Sequence, residues 1–348
     1  MRTLAGLLLA LGLVVVACGD DDLEDGATPS PADVAGDEHA SAAEVVTAGH
    51  PVDADGADDG SRLVLYQVVG ETGDVVQTAW RLYGADGDPV AEGKGGGAVL
   101  GLGDGFWVGD GLVGVDGRKR QPSTASEPLA PGPGDLVLSD FEEIRALRPD
   151  AETVFAPRPV PRGFGQGWAL DADGRQWYQR VEPEEVLTSG GSGWERVRAI
   201  PLRPGQHLLG FGITPVGEHV VLPVVRPDGG EQVAVDALAV RRADAPAGAD
   251  WTLSPAGPLA SGVRDLFPHT FALGERHYVF SDLRRPPYLF EVRSGRWSRL
   301  PLPTEEQGWT LEPGLDGLYA FPPSGAGKSG TSAWFSENLG ATWQQLPH

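Results

Sequence analysis

The chain has 348 residues, with 50 Gly, 30 Pro, one Cys, one Met and a formal charge of −22. Gly and Pro at this density without a three-residue period exclude a collagen and argue against long helices, and a single cysteine excludes an internal disulfide or a thiolate zinc site. The acidity argues against nucleic acid or an anionic lipid surface as a charge-driven partner, while ten Trp and 41% hydrophobic residues suffice for a packed core.

At the amino end, Arg2 precedes an apolar run from Leu4 to Ala17. A span of about 20 residues is needed to cross a bilayer, so this shorter run reads as the core of a secretory signal, residues 1–17. Val15-Val16-Ala17-Cys18 ends the run, and Gly19-Asp20-Asp21-Asp22 follows. This resembles the lipobox of bacterial lipoprotein precursors. The resemblance implies cleavage before Cys18, lipidation of that cysteine and an extracytoplasmic, membrane-anchored protein. Residues 19–60 hold 13 acidic side chains, no Lys or Arg and no aromatic. Residues 18–60 are therefore expected to form a lipidated cysteine followed by a disordered acidic tether. Within the tether, Asp53 to Gly60 fails the calcium-loop template, because Ala57 takes a ligand position and no Glu closes it.

From residue 61 to 348 the pattern is short strands and turns. Apolar or aromatic strands start at Leu63, Phe106, Leu136, Trp168, Val220, Tyr278 and Leu318, with a mean spacing of about 42 residues, a repeat length that belongs to propellers. A second repeat joins Gly to Trp within three residues at Trp194, Trp251, Trp297 and Trp343. Asp-Gly pairs such as Asp86-Gly87 and Asp116-Gly117 supply hairpin turns. The expected fold is all-β, a β-propeller of seven four-stranded blades with six as the alternative count. A β-sandwich is the competing architecture, and the even Trp spacing favours the propeller. Ser139 to Leu147, with Ser139 and Glu142 placed like a capping box, is expected to be a helical insertion.

Ser336-Glu337-Asn338-Leu339-Gly340-Ala341-Thr342-Trp343 resembles the Asp-box, or BNR repeat, of sialidase-like propellers. The resemblance implies a structural turn between the third and fourth strands of a blade, built by Ser336, Asn338, Gly340, Thr342 and Trp343. Asn338 stands where that family has an acid, and its amide oxygen accepts the same bonds. The family's catalytic set does not follow: its Arg-Ile-Pro motif has only the interrupted Arg198-Ala199-Ile200-Pro201 as a counterpart, and Tyr278 and Tyr288 near Glu291 do not identify a nucleophilic pair.

The remaining motifs read as structural. Pro322 to Ser329 imitates a phosphate loop but starts on proline, the seven histidines show no metal-ligand spacing, with a meeting of His269 and His277 across a hairpin the one arrangement considered, and Asp171-Ala172-Asp173-Gly174 reads as a hairpin turn. No catalytic residue, metal or cofactor is assigned. The expected function is a monomeric, non-enzymatic binding or scaffold module for a glycan or envelope-protein ligand, with Arg118-Lys119-Arg120 and Arg284 to Tyr288 as candidate loop stretches. The alternatives are a sialidase-like glycoside hydrolase using paired carboxylates, and an assembly factor for envelope complexes.

Overall fold

The computed structural model describes residues 29–70, 73–139, 144–158, 167–180, 183–190, 193–210, 212–228, 233–261, 269–282, 285–304, 308–322 and 332–347. The chain forms a β-propeller of seven sheets, here called blades 1 to 7 in chain order. Two short helices, α1 (Pro31–Gly36) and α2 (Ala42–Ala48), precede them. Contacts divide the chain into two compact units, one containing Pro122–Pro301 and the other Leu8–Gln121 with Leu302–His348.

The second unit holds blades 1, 2 and 7. Blade 1 is the meander His50–Gly56, Arg62–Val69, Val75–Tyr83 and Pro89–Lys94. Blade 2 is the shortest, with strands Val99–Gly101, Gly105–Val108, Gly111–Gly114 and Lys119–Arg120. Blade 7 comprises Thr310–Pro313, Leu318–Phe321, Trp334–Ser336 and Gln344–Gln345. The alternation of a strand sends successive side chains to opposite faces. In blade 1, Leu63, Leu65, Trp80 and Leu82 therefore pack with Val99, Phe106 and Val113 of blade 2. Val64, Tyr66, Val68, Ala79 and Tyr83 point the other way, into one cluster with Tyr319, Phe321, Phe335 and Leu346 of blade 7.

The first unit holds blades 3 to 6. Blade 3 takes its outer strand from the segment ahead of it: Ser123–Thr124 lies parallel to Thr153–Phe155, beside Ile144–Arg148 and Leu136–Ser139. Blade 4 runs from Trp168 to Arg196, blade 5 from His207 to Pro255 with a fifth short strand, and blade 6 from His269 to Arg299. The core again lies between successive sheets. Trp177, Val220, Leu222 and Trp251 join blades 4 and 5, while Val221, Leu238, Tyr278 and Phe290 join blades 5 and 6.

Each of the seven apolar segments in the sequence repeat is a strand of a different blade. Leu136 and Trp168 begin first strands, whereas the other five segments lie in second strands, which explains part of the uneven spacing. The Asp-Gly hairpins behave as their chemistry requires: Gly87 and Gly117 sit at φ +86 and +78, and the preceding Asp86 and Asp116 side chains accept the Asp88 and Arg118 N–H groups.

Two expectations need correction. The described parts of the stretch 139–147 are strands and not a helix: Leu136–Ser139 and Ile144–Arg148 pair antiparallel, with Ser139 opposite Ile144, and 140–143 lie outside the described residues. Ladder pairing against a neighbouring strand outweighs the local capping-box signal. The disorder expected for residues 18–60 does not hold over 31–56, which α1, α2 and the first strand of blade 1 occupy. The misleading signal was charge. Asp33 and Glu44 complete capping boxes with Ser30 and Ser41, and Asp53 and Asp55 accept backbone amides, so four of the acids expected to repel one another are hydrogen-bond acceptors.

Two tryptophans of the repeat act as hooks. The Trp251 indole N–H donates to the Arg198 carbonyl at 2.8 Å, and the Trp297 indole N–H donates to the Pro255 carbonyl at 3.0 Å. Arg198 and Pro255 each lie four residues after the repeat tryptophan of the preceding blade, Trp194 and Trp251. Trp297 also packs on Phe290, with ring centroids 5.0 Å apart. Replacing Trp297 with Ala removes this hook and leaves a cavity, and equilibrium urea unfolding should show a loss of about 3 kcal/mol. Trp297→Phe, which keeps the ring contact and loses the hydrogen bond, should cost about 1 kcal/mol.

Candidate functional site

In the second unit, charged side chains of blade 1 reach both blade 2 and blade 7. Asp53 and Asp55 share one face of the first strand of blade 1. The Val99 N–H donates to Asp53 Oδ2 at 2.7 Å and the Gly101 N–H donates to Asp55 Oδ2 at 2.6 Å. Two carboxylates thus satisfy alternate amides of the first strand of blade 2, in place of a neighbouring strand. Asp55 Oδ1 also accepts the Leu315 N–H, from the first hairpin of blade 7, at 2.7 Å. Only 1% of Asp55 remains exposed. A Cβ at Gly101 would meet the Gly56 carbonyl oxygen, so glycine is required for this approach.

Beside Asp55, Arg62 reaches from blade 1 to blade 7. Its Nε donates to Asp316 Oδ2 at 3.2 Å, and its guanidinium lies 4.1 Å from the Phe335 ring centroid. The Tyr319 hydroxyl donates to the other Asp316 oxygen at 2.8 Å. Glu312 stands on the first strand of blade 7, which contacts the first strand of blade 1. Desolvation pushes its carboxyl up from the ordinary 4.5 to about 8. A carboxylic acid kept neutral at pH 7 is the form a general acid needs. Sequence reasoning missed Glu312; the signal was a lone Glu in the apolar strand Thr310-Leu311-Glu312-Pro313.

Among the described residues, no group of three or more His, Cys, Asp or Glu is placed to hold a metal ion. Asp171 serves its turn: it is buried, and its carboxylate accepts the Asp173 and Arg175 N–H groups and the Trp177 indole N–H. His269 and His277 lie at opposite ends of their hairpin, opposite Ser281 and Leu273. Arg198 falls just past the last strand of blade 4, where it pairs with Asp250 and its carbonyl receives Trp251. Tyr278 is a fully buried core residue opposite Phe290. Lys119 and Arg120 form the last strand of blade 2; Lys119 lies over the Trp80 ring and Arg118 pairs with Asp116. Arg285 opens the third strand of blade 6 and Tyr288 packs against the blade 5–6 core, while Arg284 lies outside the described residues.

The segment Ser336 to Trp343 joins the third and fourth strands of blade 7. Ser336 Oγ accepts the Gly340 N–H at 2.9 Å, Asn338 Oδ1 accepts the Thr342 N–H at 2.8 Å, and Asn338 Nδ2 donates to Thr342 Oγ1 at 2.8 Å. Gly340 takes φ +79 and Trp343 is half-buried. Cys18 and the loop 323–329 lie outside the described residues.

No protein-family model and no curated protein matches this sequence. Solved structures do. The β-propeller domain of the Trilobed protease from Pyrococcus furiosus, reported to have an open velcro topology, is 7% identical, covers 86% of this chain and 98% of its own, and superposes with a TM-score of 0.51. An acylaminoacyl peptidase in complex with Z-Gly-Gly-Phe-chloromethyl ketone is 8% identical, covers 86% of this chain and 52% of its own, with a TM-score of 0.50. At these identities the likeness shows the fold alone.

Glu312 yields a pH prediction. Its carboxyl is raised in the folded state, so between about 4.5 and 8 the native protein binds more protons than the unfolded chain and stability falls as pH rises through that interval. Glu312→Gln, a neutral near-isostere, should unfold at the same urea concentration as the parent near pH 4 and at a higher one near pH 9.

Proposed function

We propose that this chain is an extracytoplasmic β-propeller lipoprotein, anchored to the membrane through Cys18, that acts as a non-enzymatic binding or scaffold module for a glycan or envelope-protein ligand. The single observation that carries the non-enzymatic reading is the state of the inward carboxylates: Asp53 and Asp55 are committed to backbone amides of neighbouring blades. Asp55, held by three N–H donors, is a poor base and a poor nucleophile. The lipobox-like Val15 to Cys18 supports the anchor, since lipid chains at about 0.8 kcal/mol per buried CH2 hold a protein without a spanning helix. Twelve residues separate Cys18 from Pro31, so the propeller stays within about 40 Å of the anchored cysteine, closer than a tether running to residue 60 would hold it.

A sialidase-like glycoside hydrolase is the second reading. The raised Glu312 carboxyl, on a strand that contacts the first strand of blade 1, favours it. Purified protein assayed on aryl sialosides decides between the two. The binding reading expects no turnover above buffer, together with saturable retention on a glycan or an envelope protein. Turnover that Glu312→Gln abolishes would replace it with the hydrolase. For the anchor, Cys18→Ser should leave the protein soluble or unprocessed, and its co-fractionation with membranes at the parent's level would refute lipidation.

A further inference from the structure

Blade 1 is built wholly from residues 50–94 and blade 7 from 310–345, so the two ends of the propeller chain meet without sharing a strand. What joins them is side-chain chemistry: Asp55 on the Leu315 N–H, Arg62 on Asp316 and Phe335, and the apolar cluster around Tyr66, Tyr319 and Phe335. Part of that junction is unfilled. A cleft of about 160 Å3 lies along it, lined by Arg62, Tyr83, Gln345 and Pro347 among others.

The two helices pack on the second, third and fourth strands of blade 1 and share one buried cluster with blade 7. Val34 of α1 and Val45, Val46 and Ala48 of α2 are buried in the cluster that contains Val64 and Tyr66 of blade 1 and Tyr319 and Phe335 of blade 7. The Gln77 side chain, in the third strand of blade 1, donates from Nε2 to the Val34 carbonyl at 2.7 Å and to the Asp37 carbonyl at 2.5 Å. Helices of six and seven residues are not stable in water alone, capping boxes notwithstanding. Their order therefore depends on the surface they cover, and linkage makes the dependence mutual: whatever the junction contributes to helix docking, docking returns to the junction.

We propose that the α1–α2 segment is a latch: docked, it holds blades 1 and 7 together, and undocked, it lets the junction open while the other blades stay folded. The latch acts through packing and the Gln77 clamp and does not depend on lipidation of Cys18. In an anchored protein, tension on the amino-terminal segment would reach α1 first.

Hydrogen exchange with mass-spectrometric readout on the full chain tests this. Val46→Asp places a charge in the cluster and should undock the helices. Exchange should then rise at least about tenfold in peptides covering 50–56 and 310–321, and stay within about twofold of the parent in 219–242 and 277–291. Gln77→Ala removes only the clamp and should give the same regional pattern at smaller amplitude. If the helices exchange freely while 50–56 and 310–321 keep the parent's protection, the latch is refuted. Uniform loss of protection in both variants also refutes it, because the junction would then have no separate opening.

Discussion

The carboxylate of Asp55 is the constraint on which the second unit turns. It accepts N–H groups from Gly56 in its own blade, Gly101 in blade 2 and Leu315 in blade 7. A buried anion left without donors would be costly, and amides left without an acceptor would be costly as well. Each group therefore fixes the other, and the strand end, strand and hairpin that supply them are held together. Gly101 and Gly56 follow from the same demand, because a side chain at either would occupy the space through which the blades approach.

Within each unit the blades repeat one solution with different groups. Faces of neighbouring sheets bury Leu, Val and aromatic side chains between them, and further hydrogen bonds add directed contacts. Between blades 4 and 5 and between blades 5 and 6 the fastener is an indole donating to a carbonyl of the preceding blade. Within blade 5 it is the Arg241 guanidinium, whose Nη1 donates to the Ala247 and Ala249 carbonyls, and whose Nη2 reaches Ala245 and Pro246. Between blades 1 and 7 it is the Arg62–Asp316 pair. Burial between the sheets resists separation, while the directed bonds fix register.

Much of the architecture was legible because repetition survives in the sequence. Tyr66, Tyr278 and Tyr319 each sit in a second strand, each is fully buried, and each belongs to an apolar segment visible by eye. The evenly spaced Trp251 and Trp297 advertised their role because an indole serves as both wedge and donor. The start of the propeller was illegible for a physical reason. Asp33, Glu44, Asp53 and Asp55 carry the same formal charge as solvated acids, and only the fold reveals that each has amides to accept. Glu312 escaped notice because its character comes from desolvation, which composition does not encode. Its only one-dimensional mark was its place within the short Thr310–Pro313 strand, whereas Glu337 lies one residue past the end of a strand.

The central claim is that Asp55 joins three blades through their backbone amides. Residue-resolved amide exchange of Asp55→Ala against the parent tests it most directly. The account predicts that Gly101 and Leu315 lose protection together while Val99, held by Asp53, keeps its own, with a fall in global stability of about 3 kcal/mol. Unchanged protection at Gly101 and Leu315 in that variant would contradict it.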